Sequence, residues 1–392
     1  MNAVQDNGKS IYKSVREGHQ SRLGAAAQHE DIFTPEELVV GGWEIDNRKA
    51  TLFAALAQNE IVSPDMIGKA QNDTEFLAGV YNDAFITLDA SRLRGDVMTP
   101  RNFTLSDQLD VVTSDIDKFA ATHELDEIVV MYSGNTEISI DTSDQPSTIC
   151  ELDAMIKSDK QDVIPPSCVY AIAAARASTS CMFVNTAAQN TLSQGLIALF
   201  DERGRLAVGR DLKTGQTRLK CVLTEYMTRV GIPLTSIASH NTLGNSDGCK
   251  LRPPRNCQSK LNTKSSMTTA IEKTNTLLYP PSESHTGGIE HMVNISYVRS
   301  HGDDKRAYDE YDATLMFNRP FSTITRMVCP DTLLAVPILL DIIVFLMCLG
   351  GTRGMHCRSA TALLALFFKD PIKLESPFFS AQYNTLMTAV CK

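Results

Sequence analysis

Residues 240–269 carry an excess of positive charge, in a chain whose formal net charge is −9. The stretch contains five cations and one carboxylate: Lys250, Arg252, Arg255, Lys260, Lys264 and Asp247. Lysine ammonium groups bind a phosphate dianion as point charges, and in a closed site they stabilise an alkoxide or enolate. A lysine with a lowered pKa can also move protons. The stretch therefore indicates either a phosphate-ligand site or a solvated basic loop, which is what charge runs usually are.

Two features of the surrounding sequence favour the ligand site. Residues 245–248 read N-S-D-G, which predicts a polar tight turn that presents its side chains well. Residues 302–306 read G-D-D-K-R and place further cations beside carboxylates, an order that solubility alone does not require. We therefore expect residues 236–311 to hold a small phosphorylated substrate.

Composition limits the class of protein that can carry this site. The chain has 392 residues, of which 43% are hydrophobic and 21% charged, as in soluble proteins with two ordinary domains. Its acidic balance argues against a general nucleic-acid binder. The ten cysteines form no C-x-x-C pair and the eight histidines no H-x-x-x-H, so we expect reduced thiols and no metal site. No apolar signal region opens the sequence, which favours a cytoplasmic protein over the alternative of a mitochondrial presequence.

One apolar segment, residues 333–351, is long enough to cross a bilayer. Asp341 lies in its middle and Pro337 interrupts it, and a charge at the bilayer centre costs about 2.5–3.5 kcal/mol on insertion scales. No lysine or arginine cluster brackets the segment as a topology signal. We expect a helix buried in the protein core, with a membrane-anchored protein as the less favoured alternative.

The elements that position the site follow the pattern strand, polar turn, helix, strand. Strands are predicted over 38–40, 128–132, 182–185 and 206–209, and helices over 52–61, 104–122, 170–177 and from Gly215 to Tyr226. This order is typical of a parallel α/β sheet, whose ligands lie at the carboxyl ends of the strands. Gly134, Asn135 and Thr136 follow one such strand, so they are either a ligand contact or an ordinary turn.

The second half of the sequence is harder to interpret. From Ile237 onward it reads as loops rich in polar residues, followed by strands over 289–298 and 308–317. The second of these strands is predicted as a strand or sheet edge. A helix over 332–349 then returns the chain to a packed core.

Several motifs resemble those of the myo-inositol-1-phosphate synthases. Residues 236–248 read S-I-A-S-H-N-T-L-G-N-S-D-G and resemble the family's S-I-x-S-Y-N-H-L-G-N-N-D-G. Residues 209–217 are similar to G-D-D-F-K-S-G-Q-T, residues 41–45 to G-G-W-D-I and residues 135–137 to N-T-E. Further matches lie at 259–265, 302–311 and 329–337, and the resemblance runs from about residue 36 to about residue 371.

The resemblance implies a reaction and a cofactor. The family converts glucose 6-phosphate to inositol phosphate, a step of inositol and phospholipid biosynthesis. Bound NAD⁺ takes a hydride from the sugar, an enolate closes the ring by an intramolecular aldol step, and the hydride returns. The resemblance also implies a cytoplasmic homotetramer that binds neither nucleic acid nor membrane.

The resemblance also assigns site residues, position by position. The phosphate and oxyanion lysines would be Lys260, Lys264, Lys305 and Lys369, the last by a match of residues 369–371 to K-A-P. The residues around the nicotinamide would be Asp211, Asn245, Ser246, Asp247, Gly302, Asp303, Asp331 and Thr332. The residues that contact the nucleotide would be Glu44, Arg92, Gly134, Asn135, Thr136 and Thr214.

The sequence departs from the family at several of these motifs. The strand and G-G-N-N-G phosphate turn that open the family's cofactor domain have no counterpart in residues 1–30. Arg210 replaces the first acid of G-D-D, Asp370 stands in K-A-P, and residues 186–188 read T-A-A in place of G-S-P. The missing phosphate turn favours the alternative function, a catalytically inactive relative that acts as an oligomerisation or regulatory partner. The retained residues favour the enzyme: Lys260, Lys264, Lys305, Asp247 and Asp331.

The expected architecture is α/β. A Rossmann-like parallel sheet domain without its first strand and phosphate turn holds NAD, and an inserted α+β domain serves catalysis and tetramerisation. The predicted boundaries are a loosely ordered segment at 1–30, the first part of the NAD domain at 31–217, the inserted domain at 218–331 and a return to the NAD domain at 332–392.

Overall fold

The computed structural model describes residues 5–6, 9–10, 38–44, 77–82, 84–85, 103–252, 254–280, 288–350, 352 and 354–390. Within residues 1–30 it describes two short strands, Gln5–Asp6 (β1) and Lys9–Ser10 (β2), which pair antiparallel. The predicted helix over 52–61 and the candidate Arg92 lie outside the described residues.

The first layer of the fold is a parallel sheet. Its strands are Glu127–Tyr132 (β5), Ser180–Asn185 (β6) and Ala207–Gly209 (β7), in the order β5-β6-β7. A separate parallel pair joins Trp43–Glu44 (β3) to Leu77–Ala78 (β4). The strand predicted over 38–40 is wrong, because the extended pairing begins only at Trp43.

Helices cover both faces of the three-stranded sheet. One face packs against Leu105–His123 (α1), Ile149–Lys157 (α2), Pro166–Arg176 (α3) and Gln194–Glu202 (α4). The other packs against Asp331–Gly350 (α8), Cys357–Leu363 (α9) and Phe379–Val390 (α10).

The side chains of β6 point alternately toward the two sets of helices, which shows how the sequence produces the two core clusters. Cys181 and Phe183 belong to the first core cluster, whereas Met182 and Val184 belong to the second. A strand whose successive side chains enter two cores must be apolar throughout, and that continuous run is what predicted a parallel sheet. The α/β fold class is confirmed.

The second layer is a mixed four-stranded sheet. Its strands are Leu234–Leu243 (β8), Glu290–Tyr297 (β9), Asp304–Leu315 (β10) and Arg319–Pro330 (β11), in the order β11-β10-β8-β9. Strands β8 and β9 run parallel, and the other neighbours are antiparallel. One face packs against Gly215–Arg229 (α5) and Pro254–Thr274 (α7), and the short helix Ser246–Lys250 (α6) follows β8.

The loops predicted from Ile237 onward are wrong. A ten-residue strand, β8, and a 21-residue helix, α7, occupy much of that region. The strand was not recognised because its covered face carries the polar residues Ser239 and Asn241, both buried, which interrupt the hydrophobic alternation. The strand predicted over 308–317 exists, but it lies between two neighbours and is not an edge.

Helix α8 is the one helix within the described ranges that is long and apolar enough to cross a membrane. Ile342, Phe345 and Leu346 on one of its faces are fully buried in the core, and Asp341 is buried with them. The predicted burial therefore holds for one face, while Leu333 and other side chains are exposed or half-buried.

A close approach of two backbones fixes the turn after β8. A Cβ atom on Gly244 would lie 2.5 Å from the Gly302 nitrogen and 2.6 Å from its oxygen, and backbone atoms cannot move aside cheaply. We expect Gly244→Ala to lower the free energy of unfolding by about 1–3 kcal/mol, measured by urea denaturation. Gly350→Ala is the control, because its Cβ would meet the flexible Met182 side chain at 3.2 Å. Equal, small losses in both variants would contradict this packing account.

Candidate active site

Four lysines from distant parts of the chain converge between the two sheets. Lys260 and Lys264 lie one turn apart on α7, Lys305 lies near the start of β10, and Lys369 follows the 3₁₀ helix Leu364–Phe367. Lys305 and Lys369 are buried, and the other two are half-buried. The structure thus brings together the four lysines that the sequence singled out for phosphate and oxyanion binding.

Asp211 is the carboxylate at the centre of this cluster. Its side chain is 2% exposed and accepts hydrogen bonds from Lys369 Nζ at 2.9 Å and Thr263 Oγ1 at 2.6 Å. Lys260 Nζ lies 3.5 Å from the same carboxylate. Burial alone would raise the pKa of Asp211, but Lys260 and Lys369 hold it well below its usual range. Asp211 therefore stays ionised and keeps two lysines in place.

Two further carboxylates, those of Asp247 and Asp331, pair with lysines of this cluster. Lys260 Nζ lies 3.5 Å from Asp247 Oδ2, and Lys305 Nζ lies 3.5 Å from Asp331 Oδ1. Burial would lower the pKa of Lys260, but Asp211 and Asp247 together raise it above its ordinary value. Lys260 is therefore a fixed cation, suited to stabilising negative charge that develops on a bound ligand.

Lys264 differs from its neighbours. None of the ion pairs formed among the described residues involves its ammonium group, whereas Lys260, Lys305 and Lys369 each face a carboxylate. Burial, followed by the cations of Lys305 and Lys369, lowers its pKa well below the ordinary value. An anionic ligand group would supply the charge that the protein does not, so Lys264 is the natural contact for a phosphate.

Lys369 is placed to exchange a proton. Burial lowers its pKa to about 8; Asp211 opposes this shift, and Lys260 and Lys305 reinforce it. A lysine with a pKa near the working pH can both accept and return a proton, which a lysine with its ordinary pKa does poorly.

A second buried ion pair, missed by sequence reasoning, lies on the covered face of the mixed sheet. Lys220 Nζ donates to Ser239 Oγ at 2.5 Å and lies 3.6 Å from Asp309 Oδ1 and 3.2 Å from His291 Nε2. Gln216 Nε2 donates to both oxygens of Asp309. Burial and the neighbouring Lys220 and Lys264 lower the pKa of His291 to about 3, so its ring is neutral. In the sequence, this network is indicated only by the polar residues Ser239 and Asn241 on the covered face of β8.

The carboxyl edge of the parallel sheet contains unsatisfied polar atoms. Thr136 Oγ1 and Gln189 Nε2 are buried without a hydrogen-bond partner, although buried polar atoms are almost always paired. Thr136 lies in the turn with Gly134 and Asn135, and its backbone nitrogen donates to Asp247 Oδ1 at 3.1 Å. Sequence reasoning selected Thr136 and missed Gln189. The two free atoms fit a polar ligand at the edge where open α/β sheets bind theirs.

The remaining residues selected from the sequence cap helices or lie at the ends of strands and in turns. Asp303 accepts hydrogen bonds from the Thr332 nitrogen and hydroxyl and so caps the first turn of α8. Asn245 Oδ1 accepts from the Gly248 nitrogen at 2.9 Å and caps α6, which begins at Ser246. Thr214 precedes α5, Glu44 ends β3, and Gly302 adopts a φ of 57° in the turn before β10.

Glu137 anchors the lysine-bearing helix to the parallel sheet. Its carboxylate accepts from Tyr132 Oη at 2.6 Å, the Ser167 nitrogen at 3.0 Å and Ser167 Oγ at 2.5 Å. Its carbonyl oxygen accepts from Ser259 Oγ at 2.7 Å, next to Lys260. Burial raises the pKa of Glu137 to about 7, because three hydrogen bonds do not replace its lost hydration.

Comparison with known proteins agrees with this fold. The chain matches the NAD-binding family model of myo-inositol-1-phosphate synthase over residues 11–387, and it belongs to that family. The probable inositol 3-phosphate synthase isozyme 3 of Arabidopsis thaliana is 34% identical over 320 residues, covering 80% of this chain and 60% of that protein. The inositol-3-phosphate synthase of Saccharomyces cerevisiae is 31% identical over 359 residues, covering 86% and 65%.

A solved structure is also similar. The inositol-3-phosphate synthase of Caenorhabditis elegans superposes with a TM-score of 0.83 at 27% identity, covering 92% of this chain and 71% of that one. The family resemblance drawn from the motifs is therefore confirmed. The chain spans about three fifths of the length of curated relatives such as the Arabidopsis protein, of which it covers 60%.

The Glu137 carboxyl predicts a pH-dependent stability. Because its folded pKa of about 7 exceeds the ordinary 4.5, the folded state binds the extra proton, and this contribution is lost as pH rises through 7. The loss for the wild type between pH 4.5 and pH 8 is roughly 3 kcal/mol. Glu137→Gln should therefore be least stable relative to wild type at acidic pH, and its stability relative to wild type should increase as pH rises through 7.

Urea unfolding at several pH values measures this difference. The exposed Glu375→Gln is the control and should track the wild type. A Glu137→Gln variant whose stability relative to the wild type stays constant or falls as pH rises would count against the assigned protonation.

Proposed function

We propose that this protein is an inositol-phosphate synthase that isomerises glucose 6-phosphate to myo-inositol phosphate with NAD. The observation that carries the proposal is the charge pattern of the lysine cluster. Asp211, Asp247 and Asp331 face Lys260, Lys305 and Lys369, and Lys264 has no carboxylate facing it within the described residues. Such a cluster lacks one anion, and a sugar phosphate supplies it.

The proposed roles of the lysines follow from their surroundings. Lys264 binds the phosphate, because its half-buried ammonium faces no carboxylate within the described residues and gains most from a dianion. Lys260, held as a cation by two carboxylates, stabilises the oxyanion of the enolate and of the aldol step. Lys369 removes and returns a proton next to the sugar carbonyl, since its pKa of about 8 suits both directions.

The proposed cofactor position is the carboxyl edge of the parallel sheet. Thr136 Oγ1 and Gln189 Nε2 are buried there without partners and fit the polar groups of a dinucleotide, with Gly134 and Asn135 in the same turn. NAD would accept a hydride from a sugar alcohol, and the carbonyl formed by that oxidation would make the proton on the adjacent carbon acidic. The family model's NAD-binding description supports this proposal.

A homotetramer is proposed from the uncovered face of the mixed sheet. Exposed apolar side chains lie there on β9, β10 and β11: Met292, Tyr308, Ile324 and Val328. A flat face of this kind suits packing against a second copy, as the family resemblance implies. A cytoplasmic enzyme that binds neither membrane nor nucleic acid is consistent with the net charge of −9.

A catalytically inactive relative that acts by pairing with other subunits is the second candidate. One observation favours it. Thr186 stands where the resembled motif has glycine, and its Oγ1 donates to the Tyr132 carbonyl at 2.7 Å at the proposed cofactor edge. The side chain therefore fills space that glycine leaves open.

A product assay separates the two candidates. Purified protein, glucose 6-phosphate and NAD⁺ should yield inositol phosphate, and Lys264→Ala should raise KM for the sugar phosphate at least about tenfold, because an ion contact to phosphate is lost. Lys273→Ala, exposed at the end of the same helix, should leave KM unchanged. Folded wild-type protein that gives no product at high concentration would support the inactive relative.

The pH dependence of turnover tests the role of Lys369. Its folded pKa of about 8 lies below the ordinary 10.5, so the neutral amine becomes the main form as pH rises through 8. We expect kcat to rise over that range and Lys369→Arg, which stays cationic, to be slow at every pH. A kcat that is flat or falls between pH 7 and pH 9 would exclude Lys369 as the base.

A further inference from the structure

Two segments far apart in sequence pair beside the lysine cluster. Residues 209–213 run antiparallel to residues 367–372, joined by backbone hydrogen bonds on both sides of Lys369. Arg210 and Asp370 exchange both backbone bonds at 3.2 and 3.3 Å, and the Lys369 nitrogen donates to the Asp211 carbonyl at 2.7 Å. This pairing determines where Lys369 enters the site.

The side chains of these dipeptides form two ion pairs in register. Arg210 Nε lies 2.8 Å from Asp370 Oδ2, Arg210 Nη2 contacts the same oxygen, and Lys369 Nζ lies 2.9 Å from Asp211 Oδ1. The signs alternate along each segment. A shift of one residue would break both in-register ion pairs and turn the side chains of one segment to the opposite face.

The two pairs differ in surroundings. The side chains of Arg210 and Asp370 are 22% and 29% exposed, whereas those of Lys369 and Asp211 are 6% and 3% exposed. In the proposed function Lys369 must be neutral before it removes a proton from the sugar. The neutral amine pairs more weakly with the Asp211 carboxylate than the ammonium does. The Arg210–Asp370 pair takes no part in that proton transfer, and two nitrogens of the guanidinium contact the carboxylate. It can therefore hold the register while Lys369 is neutral.

We propose that the Arg210–Asp370 pair is a positioning device that keeps Lys369 aligned with Asp211 in both protonation states of the lysine. The two residues stand where the resembled motifs have an acid and an alanine, G-D-D and K-A-P. Considered alone, each residue departs from the family motif. Together they form an ion pair, so the charge introduced by one residue is balanced by the other. The inference rests on the proposed function for its catalytic consequence, though not for the pairing itself.

Charge reversal tests the pair. Arg210→Asp and Asp370→Arg, made singly, should each lower kcat at least about tenfold with little change in KM, because small displacements of a catalytic group are costly. The double reversal Arg210→Asp with Asp370→Arg should restore kcat to within about threefold of wild type. Asp370→Asn, a milder change that should still fold, should show a smaller loss than Asp370→Arg.

Hydrogen exchange gives a readout that needs no activity. Amide exchange of the peptide covering 367–372, followed by mass spectrometry, should accelerate in both single reversals and return to the wild-type rate in the double reversal. Arg176→Asp is the matched control, because Arg176 pairs with Asp153 away from the lysine cluster. It should change neither kcat nor exchange in this peptide.

The possible outcomes are distinct. A double reversal as impaired as the single ones would overturn the proposal, since Arg210 or Asp370 would then act on the ligand directly. Single reversals without effect on turnover and exchange would overturn it as well. If wild-type protein forms no inositol phosphate, the proposed function fails, and the exchange rates alone then decide whether the pair sets the register.

Discussion

The buried Asp211 carboxylate is the interaction on which the rest of the site depends. It joins three segments that the sequence keeps far apart: the turn after β7, helix α7 through Lys260 and Thr263, and the segment that carries Lys369. A buried charge is tolerated only when it is paired and hydrogen-bonded, so each partner is held firmly. The C-terminal part of the chain is thereby tied to the helix that contacts both sheets.

The positions of the carboxylates account for the different roles proposed for the lysines. Lys220 faces Asp309, Lys260 faces Asp211 and Asp247, Lys305 faces Asp331, and Lys369 shares Asp211. Lys264 is surrounded by these cations, and burial together with their charges lowers its pKa. In the proposed function, an anion bound at Lys264 balances the positive charge of this cluster, which is a physical basis for selecting a phosphorylated substrate.

The predictability of the fold differs between the two layers for a physical reason. Strands β5 and β6 are covered on both faces, so continuous apolar runs revealed them directly. Strand β8 carries the polar residues Ser239 and Asn241 on its covered face, and helix α7 is rich in polar residues, so hydrophobic periodicity did not reveal either element. The family motifs located the four lysines. Periodicity could not locate Asp309, Lys220 or Gln189, whose importance depends on contacts across the fold.

A structure with bound glucose 6-phosphate tests the central claim, that the lysine cluster is completed by a phosphate at Lys264. We predict a phosphate oxygen within hydrogen-bond distance of Lys264 Nζ, with Lys260 and Lys369 still bound to Asp211. It also predicts that the sugar carbon next to the carbonyl lies near Lys369 Nζ. An ordered phosphate away from Lys264, or a Lys264 ammonium paired with a carboxylate of the chain, would contradict it.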